Sequence, residues 1–176
     1  ELQAGDLVLY SRIGTWNAGE PTTGPWVEPA ATLVSAAEAA LTQAGVRYLK
    51  GAALTVPAVV ATPADKGRLA QATAAIAVDM ESYWVGQAAQ EAGVPFVAMR
   101  AVLDTARHEL PSALACSWEE ELIPSVVARL ALRTALRPWQ LASVLRTATY
   151  ARVAQKRLAV AGVSLLERLA TLPGPS

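Results

Sequence analysis

Apolar and polar positions along this chain alternate between short unbroken apolar runs and stretches of helical periodicity. Leu7-Val8-Leu9-Tyr10 follows Gly5-Asp6 and predicts a short buried strand. From Gly14 to Pro29, residues Gly14, Gly19, Pro21, Gly24, Pro25 and Pro29 predict a long loop, and Trp16 and Trp26 make it a candidate lid or interface segment. Leu33, Val34, Ala37 and Leu41 recur at helical spacing between Ala30 and Ala44, and Gly45 closes that helix as a C-terminal cap would. Val46 to Pro57 reads as one or two strands, Pro63 to Ala72 as a helix opened by proline, and Ala75-Ile76-Ala77-Val78 as a buried strand of the parallel-sheet type. Met80 to Ala92 is a helix ended by Gly93, and Val94 to Leu103 is a long apolar strand interrupted only by Arg100. Strand, helix, strand in this order is a βαβ unit, so the pattern predicts an α/β fold: a partly parallel mixed sheet flanked by helices. Beyond Asp104 the periodicity is helical throughout, over Ser125 to Leu136, Pro138 to Arg157 and Val163 to Leu172. The expected organisation is one α/β domain over 1–123 with a helical extension, 124–176, packed on it.

Composition agrees with one domain, since 176 residues that are 53% hydrophobic suffice for a single core. The 15 basic and 15 acidic residues cancel, which argues against a nucleic-acid partner. Their distribution is uneven. Residues 1–123 carry 7 basic and 14 acidic side chains, whereas 124–176 carries 8 basic side chains and Glu167 alone, a charge of −7 against +7. An apolar, basic tail of this kind faces an anionic partner, either a membrane surface or the acidic part of the same protein. Cys116 is the only cysteine, so neither an intramolecular disulfide nor a thiolate metal cluster is available, and a reducing cytoplasm fits. No apolar run reaches the about 20 residues that span a bilayer, and Glu1 to Asp6 has no signal-peptide character.

Two polar segments fall at strand exits, where ligands bind in open α/β sheets: Asp79-Met80-Glu81-Ser82 and Leu103-Asp104-Thr105. Either has a plain structural reading. Asp79 can cap the following helix, Glu81 can complement its dipole, and Asp104 can be a turn residue. His108, the single histidine, reads as a solvated loop residue, and Glu119-Glu120-Glu121 as a charged helix start without the His or Cys partners of a metal site. No glycine-rich phosphate loop or dinucleotide motif is present, so no cofactor is expected.

Taken together, Val78-Asp79-Met80-Glu81-Ser82, an intervening helix, and Val94-Pro95-Phe96 through Arg100-Ala101-Val102-Leu103-Asp104 resemble the signature of the purine-nucleoside phosphorylase and methylthioadenosine nucleosidase superfamily. Gly51 to Pro57 with Lys66 and Leu69, and the strand entry Leu2 to Leu9, are similar to it as well. The resemblance implies cleavage of an N-glycosidic bond, which builds positive charge on the ribose and negative charge on the departing base. It makes Asp104 the acid that protonates or hydrogen-bonds purine N7, a role that asks for a carboxyl whose proton affinity is raised by burial. Glu81 is then the acceptor for the ribose hydroxyls, Met80 packs against the sugar, and Val59 and Val60 line the purine site. Arg100, a cation within an apolar strand, needs a carboxylate or carbonyl partner and reads as structural.

The chain departs from the family pattern in two ways. Leu103 stands where most members have Ser next to the acid. The N-terminal third of the family fold, with the loop that holds phosphate or activates water, has no counterpart, so phosphate as co-substrate and water as nucleophile both remain open. In the tail, Arg137-Pro138-Trp139-Gln140-Leu141 and the helix through Tyr150-Ala151-Arg152 resemble the extension of hopanoid-associated phosphorylases, which implies adenosylhopane as substrate and suits contact between 124–176 and an anionic membrane. The expected partners are a small-molecule adenine nucleoside and further copies of the chain. A methylthioadenosine/S-adenosylhomocysteine nucleosidase-like enzyme, or an inactive fragment that keeps the fold, are the alternatives.

Overall fold

The computed structural model describes residues 2–17, 20–21, 25–110 and 138–171, with backbone alone for 17, 20, 21 and 138–148. Its elements are β1 (Leu7–Asn17), β2 (Glu20–Pro21), α1 (Ala31–Gln43), β3 (Tyr48–Thr55), α2 (Pro63–Thr73), β4 (Ala77–Asp79), α3 (Ser82–Glu91), β5 (Met99–Ala101) and α4 (Pro138–Ala170). The sheet is mixed and mostly parallel. β1 pairs in parallel with β3 and β3 with β4, while β5 and β2 run antiparallel to β1 on its other side.

β1 is the spine of the sheet, and its apolar run is buried on both faces. Leu7 and Leu9 point to one side, where they pack with Leu41, Val34 and Ala37 of α1 and Ala161 of α4. Val8 and Tyr10 point to the other, against Ala53 and Tyr83. The register with β3 slips between Tyr10 and Arg12, so that Tyr10 pairs with Gly51 and Arg12 with Ala52. One extra residue reverses the alternation of side chains. Ile13 therefore joins Val8 and Tyr10 on the same face instead of crossing to the other.

Several expectations from the pattern change here. The strand seen as Leu7–Tyr10 continues to Asn17, and the expected loop is in part a hairpin, closed by a bridge between Ile13 and Val27. Gly14 lies inside the strand because a Cβ there would meet Trp26 at 3.1 Å and Leu54 at 3.3 Å. The expected long strand Val94–Leu103 is ladder-bonded only over Met99–Ala101 and runs antiparallel. Its first half spends its carbonyls elsewhere: Phe96 O accepts from Ala30 N at 2.9 Å, at the start of α1, and Ala98 O from Tyr10 N at 3.0 Å. β4 lies at the sheet edge beside β3, so Ile76 and Val78 are exposed, not buried as their apolar run suggested. The parallel crossovers are β1-α1-β3 and β3-α2-β4, whereas β5 leaves β4 and returns antiparallel to β1.

Helix ends follow their local chemistry. α1 stops where Gly45 takes φ of +63°, a left-handed conformation that only glycine adopts cheaply. α2 starts with Thr62 accepting from Asp65 N at 3.1 Å, with Pro63 in the first turn. The two expected C-terminal helices from Pro138 are one continuous helix, because Gly162 has open space around it and does not interrupt the turn pattern. Ser125–Leu136, Cys116 and Glu119-Glu120-Glu121 lie outside the described residues. Among those described, no helix is long and apolar enough to cross a membrane.

α4 crosses α1 and the start of β1. Its apolar contacts come from Ala154, Leu158, Ala161 and Leu165. Arg157 adds a polar anchor, donating to Gly5 O at 3.0 Å and approaching Asp6 Oδ1 at 3.3 Å. Asp6 is buried and also faces Arg47 at 3.4 Å and accepts from Gln3 N at 2.9 Å. Losing a partner of a buried charge costs more than losing an exposed pair. Arg157→Met should therefore destabilise the protein by about 1–2 kcal/mol in urea unfolding, and a cycle with Asp6→Asn should give a coupling above about 0.5 kcal/mol. Additivity within error would show that apolar contacts alone hold α4.

Candidate functional site

The junction between β4 and α3 is organised by Asp79. Its Oδ1 accepts from the backbone N–H of Glu81 and of Ser82, both at 3.0 Å, and from the Thr55 hydroxyl at 2.9 Å. Thr55 in turn accepts from Tyr83 N at 2.9 Å. These bonds satisfy the N–H groups of Glu81, Ser82 and Tyr83 at the start of α3, as the capping reading of Asp79 expected. Asp79 Oδ2 is buried, accepts no hydrogen bond among the described residues, and faces Arg100 Nε at 3.5 Å. Burial works against the charged carboxylate, but the Ser82 hydroxyl, the two backbone donors and Thr55 outweigh it and hold Asp79 below its ordinary range. Tyr10 lies next to it, and burial followed by the Asp79 charge pushes its phenol up, so it remains protonated.

Arg100 meets the need for a partner that its place in an apolar strand implied. Nε donates to Ser82 Oγ at 3.1 Å and Nη2 donates to Glu81 Oε2 at 2.9 Å. Burial would lower its proton affinity, yet Glu81, Asp79 and Tyr10 raise it. The Glu81 side chain is 70% exposed, so its carboxylate is held from beneath by Arg100 and open to solvent above. Met80 next to it is half-buried, packed with Leu54, Val56, Leu69 and Ala75, and Val60 joins the same cluster. Val59 is half-buried in the segment that leads to α2.

Trp16 and Trp26 pack on this cluster too, with Arg12 stacked over the Trp26 ring at 4.3 Å. The sequence marked them as a lid or interface segment, and the structure places them with Met80 and Val60. Only the β1 bulge and the bridge at Val27, which no local pattern reveals, bring them there.

Asp104 follows β5 in a loop and forms an ion pair with Lys66 of α2 through Oδ2. It is thus not an isolated carboxyl in an apolar pocket. Lys66 also donates to Thr105 O at 3.1 Å and His108 O at 2.7 Å. His108 is half-buried, with Nδ1 at 2.8 Å from Thr105 Oγ1, and so is not the solvated residue that its loop position suggested. In the sequence Lys66 is only a point of resemblance, and Thr55 and Tyr10 read as strand residues with no part in the site. A threonine and a tyrosine at the ends of apolar runs were the available signals.

Because Asp79 is held below the ordinary carboxylate value near 3.9, its contribution to stability is present above that pH and is lost as pH falls below it. Asp79→Asn should be less stable than the parent at pH 7, and the gap in urea midpoint should narrow as pH falls below about 4. A gap that stays constant with pH would place the effect in shape and not in charge.

The family model described as the Phosphorylase superfamily matches residues 1–131. No curated protein matches the chain by sequence. Among solved structures, the chain is similar to S-adenosylhomocysteine nucleosidase from Streptococcus pyogenes in complex with 5-methylthiotubericidin, at TM-score 0.66 and 21% identity over 96% of this chain and 62% of that one. It is similar to 5′-methylthioadenosine/S-adenosylhomocysteine nucleosidase from Neisseria meningitidis in complex with methylthio-immucillin-A, at 0.64 and 17%, covering 94% and 62%. Futalosine hydrolase of Helicobacter pylori strain 26695 matches at 0.54 and 21%, covering 60% and 50%. The chain spans 50–62% of the length of these three structures, and at such identities they share its fold. With the family model covering most of its length, the chain belongs to the phosphorylase superfamily.

Proposed function

We propose that the protein cleaves the N-glycosidic bond of an adenine nucleoside and releases adenine. The observation that carries this reading is the Glu81 carboxylate, exposed at the start of α3 and fixed from beneath by Arg100. An anchored, solvent-facing acceptor beside half-buried Met80 suits a ribose whose hydroxyls donate to it and whose ring gains positive charge as the bond breaks. With Oδ2 paired to Lys66, Asp104 serves the base side through Oδ1, which takes up a proton from solvent on substrate binding and passes it to N7 as the electron pair of the C1′–N9 bond moves into the purine. Val59 and Val60 flank the base, and phosphate or water takes the ribosyl group.

Two substrates differ only in the 5′ substituent. The resemblance of the tail to hopanoid-associated phosphorylases favours adenosylhopane, with α4 and its neighbours meeting an anionic membrane. The shared fold with nucleosidases solved in complex with methylthio-immucillin-A and 5-methylthiotubericidin favours a methylthioadenosine or S-adenosylhomocysteine substrate equally. Burial of α4 residues against α1 leaves Val160, Val163 and Leu166 exposed on its outer side for either a lipid surface or another copy of the chain.

Adenine release from 5′-methylthioadenosine and from adenosylhopane, with and without phosphate, tests the proposal. Activity should fall about 10²–10³-fold in Asp104→Asn, while Glu81→Gln should lose about 10-fold or more in kcat/KM. The ribosyl product, phosphorylated or free, identifies the nucleophile. A folded chain that releases no adenine from either compound would contradict the reading, and full activity in Asp104→Asn would remove that residue from it.

A further inference from the structure

Lys66 occupies a position that its sequence context does not advertise. It lies in the first turns of α2, yet its side chain is only 10% exposed, whereas a helix-start lysine ordinarily extends into water. An ammonium has three N–H donors, and the structure supplies three acceptors: Asp104 Oδ2, Thr105 O and His108 O. All three come from one short loop, which therefore wraps the ammonium. The loop has further ties of its own, His108 N to Thr105 O at 3.1 Å and Leu110 N to Ala61 O at 3.0 Å. The last of these fastens it beside Val60. On the other side α2 is anchored by buried Leu69 and by its Thr62 cap.

We propose that Lys66 is the positioning residue for the base-side carboxylate, an inference that rests on the nucleoside-cleavage reading for its functional part. Lys66 holds Asp104 by Oδ2 and the backbone of 104–108 by two carbonyls, so that Oδ1 is presented to the purine from a fixed place. The loop has no ladder or helix to fix it. Without the ammonium, two carbonyls and a carboxylate would converge with nothing between them, and the loop would rearrange. A shift of about 1 Å in a reacting group is enough to cost about 100-fold in rate. The departure at Leu103 fits this arrangement: no hydroxyl stands next to the acid at position 103, and the Lys66 ammonium pairs with it.

The test is made on the full chain with Lys66→Met, Lys66→Arg and Asp104→Asn. Amide hydrogen exchange at His108 should rise about tenfold or more in Lys66→Met, with the amides of Ala53 and Leu54 unchanged. For adenine release from 5′-methylthioadenosine, kcat should fall about 100-fold while KM stays within about threefold. Lys66→Arg should recover part of kcat, and the double variant Lys66→Met with Asp104→Asn should be no slower than Asp104→Asn alone. Unchanged exchange at His108, or losses in kcat that multiply in the double variant, would overturn the proposal. If the parent chain releases no adenine, the nucleosidase reading fails by itself, and the exchange measurement still decides the clamp. Asp104→Asn severs the same pair from the loop side and supplies that measurement should Lys66→Met not fold.

Discussion

The Asp79 carboxylate is the constraint around which the rest of the structure is arranged. A buried negative charge must be matched by donors, and the donors come from every element nearby: Thr55 at the end of β3, the first N–H groups of α3, and Arg100 of β5. Tyr10 of β1 lies beside the carboxylate, its phenol pushed up by burial and by the Asp79 charge. Each of these contacts fixes an element relative to the others. The same contacts leave Arg100 with one free arm, which reaches Glu81 and converts a structural cation into the support of an exposed carboxylate. The candidate sugar site is in this sense a by-product of satisfying Asp79.

A similar economy holds at the other end of the chain. The charge asymmetry between the two parts of the sequence has a structural correlate in Asp6, a buried acid at the entry to β1 that meets Arg157 of α4 and Arg47 before β3. One basic residue of the tail is thereby used inside the protein, while Arg152, Lys156 and Arg168 lie on the exposed side of α4 with Val160, Val163 and Leu166.

Helices were legible in the sequence because their signals are local. Pro63 after Thr62, Gly45 after the Ala-rich run and Gly93 after Glu91 mark their ends within a residue or two. Strands were legible only in part, since their extent depends on partners far along the chain. The run Leu7–Tyr10 stops being apolar at Ser11, yet β3 continues to pair with the chain through Thr15. Conversely Val94–Ala98 looks like strand but gives its carbonyls to Ala30 and Tyr10 outside the ladder. Edge and centre also read alike in sequence, which is why Ile76 and Val78 were expected inside. For the candidate site, motif and the cost of an unpaired cation single out Asp79, Glu81, Met80 and Arg100, and the structure brings these four together. Lys66 was visible only through the fold, because the residues that explain it, Asp104, Thr105 and His108, are separated from it by two strands and a helix.

The proposed function rests on one nucleoside site, with Glu81 on the sugar and Asp104 on the base. A crystal structure of the full chain with a non-hydrolysable 5′-alkylthio adenosine analogue tests that claim most directly. A ribose hydroxyl is expected within hydrogen-bond reach of Glu81, about 2.6–3.2 Å, and purine N7 within the same reach of Asp104. An analogue bound with its ribose or its purine away from these two carboxylates would contradict it.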